Sequence, residues 1–204
     1  IYSSKNWKSF HDFLRDYPKT VLGIDWWSEE VRKSSGSRHL VVAWFMRSCE
    51  QMTATREAGH GEVGMPATGA LSAYMRFAYD LYELQHAVTV EPVLIQRLKN
   101  HLGLPGAMYE VRVAASLLRA GFTLEMEDES DRSISHVEFI ATHIATGEKF
   151  SVEAKRREGA RLNINKLLHN ALMKHAKHPR IVFIDTNDGR LDFHKFENLP
   201  VTLA

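Results

Sequence analysis

The stretch His136-Val137-Glu138-Phe139-Ile140-Ala141-Thr142-His143, followed by Thr146-Gly147-Glu148 and then Lys149-Phe150-Ser151-Val152-Glu153-Ala154-Lys155, decides the fold. Both outer segments are rich in β-formers and alternate in polarity, and the Thr-Gly-Glu between them has turn composition, so the segment reads as a β-hairpin. Side chains alternate along a strand, which puts Glu153 and Lys155 on one face and Ala154 on the other. The turn near Gly147 folds Glu138 back beside Glu153. Two carboxylates converging next to one ammonium are costly unless positive charge neutralises the acids. A hard divalent cation does this, because Mg²⁺ accepts one or two carboxylates and fills its octahedron with water and phosphate oxygens. Lys155 then has two chemical tasks open to it, orienting an attacking water and balancing charge that builds on a phosphate.

Working outward, Tyr109 to Ala120 carries Val111, Ala114, Ala115 and Leu118 at helical spacing, with Gly121 as its C-terminal stop. Phe122 to Met126 reads as a short strand. Beyond the hairpin, Asn163 to His175 returns to helix through Ile164, Leu167, Leu168, Ala171 and Leu172, and Arg180 to Asp185 is a continuous apolar strand of the fully buried kind. The order helix, strand, strand, strand, helix, strand predicts an α/β sheet with helices on its faces. The first hundred or so residues read mainly as helix. Trp7, Phe10, Phe13, Leu14 and Tyr17 form one stripe, stopped at Pro18. Leu40 to Gln51 is apolar enough to be a buried helix or a strand, and its periodicity decides for neither. Thr53 to Gly69, with four glycines and a proline, reads as a loop, Ala70 to Ala87 as a helix, Pro92 to Leu102 as a shorter one, and Gly103 to Gly106 as a break. The expected division is a mainly helical region over 1–106 and an α/β core over 107–204.

Glu110 in a helix, Glu138, then Glu153-x-Lys155 on a strand, followed by a helix and a buried strand, resembles the PD-(D/E)XK nuclease superfamily over roughly Tyr109 to Asp185. The resemblance implies a restriction-endonuclease-like core and Mg²⁺- or Mn²⁺-dependent phosphodiester hydrolysis, with DNA the expected substrate. It implies Glu138 and Glu153 as metal ligands, Lys155 as the catalytic lysine and Glu110 as an auxiliary acid. Lys166 or Asn170 would reach in from the second helix, and Arg156, Arg157, Arg161 and Lys166 would contact phosphates. One departure stands out: Val137-Glu138 replaces the usual Pro-Asp, so the first acid is one methylene longer. That substitution supports a rival reading, in which the fold is kept without catalysis and serves to bind nucleic acid or protein. A structural subunit assembled through the N-terminal helices is a third.

Composition bounds these readings. The 204 residues are 44% apolar and 25% charged, which suits a soluble domain with a real core and excludes a collagen-like or intrinsically disordered chain. Leu40 to Met46 is the longest uncharged apolar run and is too short to span a bilayer, so no membrane association is expected. The net charge of +1 excludes a polycation, yet Lys155 to Arg180 holds eight basic residues against the single acid Glu158, just downstream of an acidic cluster (Glu125, Glu127, Asp128, Glu129, Asp131). One cysteine, Cys49, excludes a disulfide framework and suits a reducing, cytoplasmic compartment. The histidines lack the spacing of a zinc site, and neither a Gly-x-Ser-x-Gly elbow nor a Gly-rich phosphate loop occurs. Trp7, Trp26, Trp27 and Trp44 read as core rather than as stacking platforms for bases. A chain beginning at Ile1 reads as a piece of a longer one, and a homo-oligomer or larger complex stays open.

Overall fold

The computed structural model describes residues 5, 7–57, 68–127, 136–156 and 163–186, apart from the Arg56 side chain. The hairpin is present. Strand β2 (Phe139–His143) pairs antiparallel with β3 (Lys149–Arg156), with Phe139 opposite Val152 and Thr142 opposite Lys149. Gly147 in the connecting turn has φ +71°, a conformation that favours glycine and lets the chain reverse tightly. On one side, β1 (Phe122–Met126) adds antiparallel to β2. On the other, β4 (Arg180–Asp185) adds parallel to β3, giving a mixed four-stranded sheet in the order β1-β2-β3-β4. The parallel step needs a crossover, and α7 (Ile164–Leu172) lies within it.

Ahead of the sheet come α1 (Phe10–Leu22), α2 (Ile24–Arg32), α3 (Leu40–Glu57), α4 (Gly69–Ala87), α5 (Pro92–Lys99) and α6 (Leu104–Arg119). The described chain is thus an α/β protein with a helical N-terminal region. Helix α6 joins the parts: it packs on α4 and α5 through one side and on β1 and β3 through another. A continuous buried cluster follows, running from Tyr17, Trp27 and Tyr74 through Leu98, Val111 and Ala114 to Phe139 and Val152. Among the described residues no helix is long and apolar enough to cross a membrane.

Four local expectations are corrected. Pro18 does not stop α1, which runs on to Leu22 before Gly23, at φ +97°, ends it. Tyr17, Pro18 and Leu22 are all buried, so tertiary packing outweighs the roughly 3 kcal/mol that an interior proline costs a helix. The Thr53–Gly69 loop begins later than its composition implies, because α3 continues to Glu57 and Thr68 is already the N-cap of α4; residues 58–67 lie outside the described set. The Gly103–Gly106 break is instead the first turn of α6, where Pro105 sits at a position whose missing N–H costs nothing. Finally, β4 is not fully buried. Its six residues are all half-exposed, because it forms the sheet edge among the described residues and lacks a partner on its outer side.

The N-terminal helices also bury a histidine. His39 precedes α3 with no solvent exposure, its backbone N–H donating to Glu30 Oε2 at 2.9 Å. Neither ring nitrogen finds a hydrogen-bond partner among the described residues, and the ring packs edge-on to Trp26 and His101. Burial, reinforced by the nearby His101, holds its pKa down to about 4. The native state therefore binds fewer protons than the unfolded chain at this residue, and stability falls as pH drops from about 6.5 towards 4. Urea unfolding at pH 7 and pH 5 should show this residue contributing a loss of about 2 kcal/mol on acidification. The same two measurements on His39→Leu should show a loss smaller by that amount; an equal loss in both proteins would contradict the assignment.

Candidate functional site

Register and alternation build the site. Glu138 sits one step before β2, where the chain bends and its backbone N–H donates at 3.0 Å to the carbonyl of Val152, the residue already paired with Phe139. Glu153 belongs to the stretch of β3 where α6 covers the sheet, and its side chain has 0% exposure; that of Glu138 has 10%. Two carboxylates are therefore held side by side with little access to water.

Two lysines neutralise them. Lys155 projects from β3 on the same face as Glu153, and its Nζ pairs closely with Glu153 Oε1 and lies 3.6 Å from Glu138 Oε1. Lys174, just past the end of α7, places its Nζ 2.9 Å from Glu153 Oε1 and 3.2 Å from Glu138 Oε1. A single ammonium nitrogen thus bridges one oxygen of each acid. The other oxygen of Glu153, Oε2, is buried without a hydrogen-bond partner among the described residues.

The electrostatics follow. Burial, followed by the adjacent Glu138 charge, raises the Glu153 pKa, while Lys155 and Lys174 work to lower it. Burial alone would lower the Lys174 pKa, but Glu138 and Glu153 outweigh it and hold the amine in its charged form above the usual lysine range. The geometry suits a cation, because two carboxylate oxygens converge on one point and a third buried oxygen has unused lone pairs. Glu138 and Glu153 would hold a divalent metal ion there.

The remaining predicted residues are placed differently. Glu110 is buried on α6, where its Oε2 lies 2.9 Å from the Arg97 guanidinium of α5. No group of three or more His, Cys, Asp or Glu side chains suited to a metal ion occurs among the described residues. Arg156 ends β3 with its Nε 3.6 Å from Asp185 and an Nη donating to the Pro105 carbonyl at 3.4 Å, so this guanidinium braces β4 and the start of α6. Lys166 and Asn170 are exposed on α7, and it is Lys174 beyond the helix end that reaches the carboxylates. Arg157 and Arg161 lie outside the described residues. Trp27 is buried and Trp7, Trp26 and Trp44 are half-buried.

Reading the sequence missed Lys174 and Arg97 as partners of the acids. Lys174 stands in the counted basic run, but nothing in that run singles it out from its neighbours; Arg97 lies on a separate helix from Glu110.

The Glu110–Arg97 pair makes a thermodynamic test. Arg97→Ala leaves a buried carboxylate without this cation and should cost about 2–3 kcal/mol in chemical denaturation, discounted for the partial exposure of Arg97. Arg97→Ala combined with Glu110→Gln should recover more than half of that loss. Additive losses in the double variant would show that the pair is not coupled.

No family model, no curated protein and no solved structure matches the chain.

Proposed function

We propose that this chain is a nuclease that hydrolyses phosphodiester bonds, with DNA as substrate and Mg²⁺ or Mn²⁺ as cofactor. One observation carries the reading: the carboxylates of Glu138 and Glu153 converge on a single cationic position at the end of a hairpin, with the Lys155 ammonium beside them. A bound divalent ion would supply Lewis-acid polarisation and a nucleophile active at neutral pH. The protein's part is positional. Strand β3 holds Glu153, and Glu138 is held at the bend that leads into the neighbouring strand β2. Lys155, on the same strand face as Glu153 and with 24% side-chain exposure, can reach a phosphate oxygen or a water while its stem remains packed. Its charge opposes the negative charge that develops during phosphoryl transfer. Exposed Lys166 supports contact with a nucleic-acid backbone, as do Arg157 and Arg161 by their place in the sequence. Glu110 enters this reading as the acid on the first core helix, held by Arg97 of α5. The single cysteine, Cys49, is half-buried, and burial raises its pKa, in keeping with an inert thiol and a reducing, cytoplasmic setting.

A second reading also has a specific observation behind it. Lys155 and Lys174 already balance the charges of Glu138 and Glu153, so the cluster is electrically neutral without a metal ion. In that case the chain binds nucleic acid or protein through a nuclease-like fold that performs no chemistry.

Cleavage assays on single- and double-stranded DNA and on RNA, with and without Mg²⁺, separate the two. The nuclease reading expects metal-dependent turnover that falls at least about 100-fold in Lys155→Met and Glu153→Gln, with circular dichroism unchanged. Full activity in Lys155→Met would remove the mechanism. Salt-sensitive DNA binding with no turnover in the unsubstituted protein would favour the second reading.

A further inference from the structure

We propose that Lys174 is a built-in occupant of the cation position, an ammonium that a divalent metal ion must displace before it can bind Glu138 and Glu153. The inference deepens the nuclease reading and rests on the same carboxylate pair, though its test does not depend on cleavage.

Geometry comes first. Lys174 Nζ lies 2.9 Å from one carboxylate and 3.2 Å from the other, the bridging arrangement that a shared metal ion adopts at shorter range. Magnesium binds oxygen at about 2.1 Å, so an ion bridging these two oxygens and an ammonium bridging the same two cannot coexist. Lys155 is off-centre by comparison, close to Glu153 but 3.6 Å from Glu138, and it is anchored in the strand that carries Glu153.

Charge counting agrees. Two carboxylates and two ammoniums sum to zero, so the cluster offers a dication no net attraction while both lysines remain. With Lys174 withdrawn, the same acids, Lys155 and one dication sum to +1, which matches the single negative charge of a phosphodiester. Releasing the lysine therefore makes the site receptive both to metal and to substrate.

The setting favours a side-chain swing. Arg180 donates from one Nη to the Leu172 carbonyl at 2.8 Å and from the other to the Lys174 carbonyl, which clamps the backbone between α7 and β4. The Lys174 side chain itself keeps 20% exposure and so has a path to solvent.

The test is Mn²⁺ binding, read by calorimetry and by the loss of the free-ion electron paramagnetic resonance signal. Unsubstituted protein, Lys174→Met and Lys174→Gln are compared. Lys177→Met serves as the control, because it removes one positive charge from the same loop without vacating the position; Lys177 pairs with Glu127 instead. Thermal melts confirm that each variant folds, and having two replacements at Lys174 guards against a folding defect in either. The expected result is Mn²⁺ binding at least about tenfold tighter in both Lys174 variants than in the unsubstituted and Lys177→Met proteins. The gain should disappear when Glu153→Gln is added. Equal affinity in all proteins, including no binding by any of them, overturns the proposal, as does an equal gain in Lys177→Met. Tighter Mn²⁺ binding without cleavage of any nucleic acid would uphold the proposal and defeat the nuclease reading. Metal-dependent cleavage with no gain on replacing Lys174 would do the reverse.

Discussion

Two carboxylates held side by side out of water are the constraint on which the site depends. Glu138, at the bend before β2, and Glu153, on β3, are both buried and share the same two lysine partners. Like charges this close and this dry cannot both stay ionised without counter-charge. The structure answers with Lys155 from the same strand and Lys174 from the far side of a crossover. The sheet, the crossover helix and the loop after it are thus tied together by one ionic cluster. Loss of a single member would leave an uncompensated buried charge, a far costlier state than the loss of an exposed pair.

A second ionic contact plays a related role across the helical part. Glu110 near the middle of α6 meets Arg97 on α5, and Arg119 at the C-terminal end of α6 pairs with Asp80 and Glu83 of α4. Helix α6 is therefore fixed near its middle and at its C-terminal end by guanidinium–carboxylate contacts while its apolar face packs into the core. This gives Glu110 a definite structural partner in Arg97. It also gives β3 a firm surface to pack on, and so helps fix the position of Glu153.

Much of this was legible in the sequence. The alternation on either side of Gly147 carries both strands and puts Glu153 and Lys155 on one face, while the bend at Glu138 that turns its carboxylate towards them is not written in the alternation. The helical stripes of α4 and α6 were visible because their apolar positions recur at three and four residues. Other parts were not, for physical reasons. Pro18 and Pro105 look like breakers in a local reading, yet one is carried by core packing and the other by its place in a first turn. Strand β4 has the apolar run of a central strand, and only the sheet order shows it at the edge among the described residues. Lys174 was visible only as one cation among several, because a residue just beyond a helix end is aimed by tertiary structure rather than by periodicity. The pairing of Arg97 with Glu110 depends in the same way on how two helices cross.

The central claim is that Glu138 and Glu153 define one cation position, occupied by an ammonium until a metal ion arrives. Anomalous diffraction from Mn²⁺-soaked crystals tests this most directly. The account predicts a manganese peak about 2.1 Å from an oxygen of each glutamate, with Lys174 Nζ moved away and Lys155 still beside Glu153. No peak between the two acids, or a peak there with Lys174 still bridging both, would contradict it.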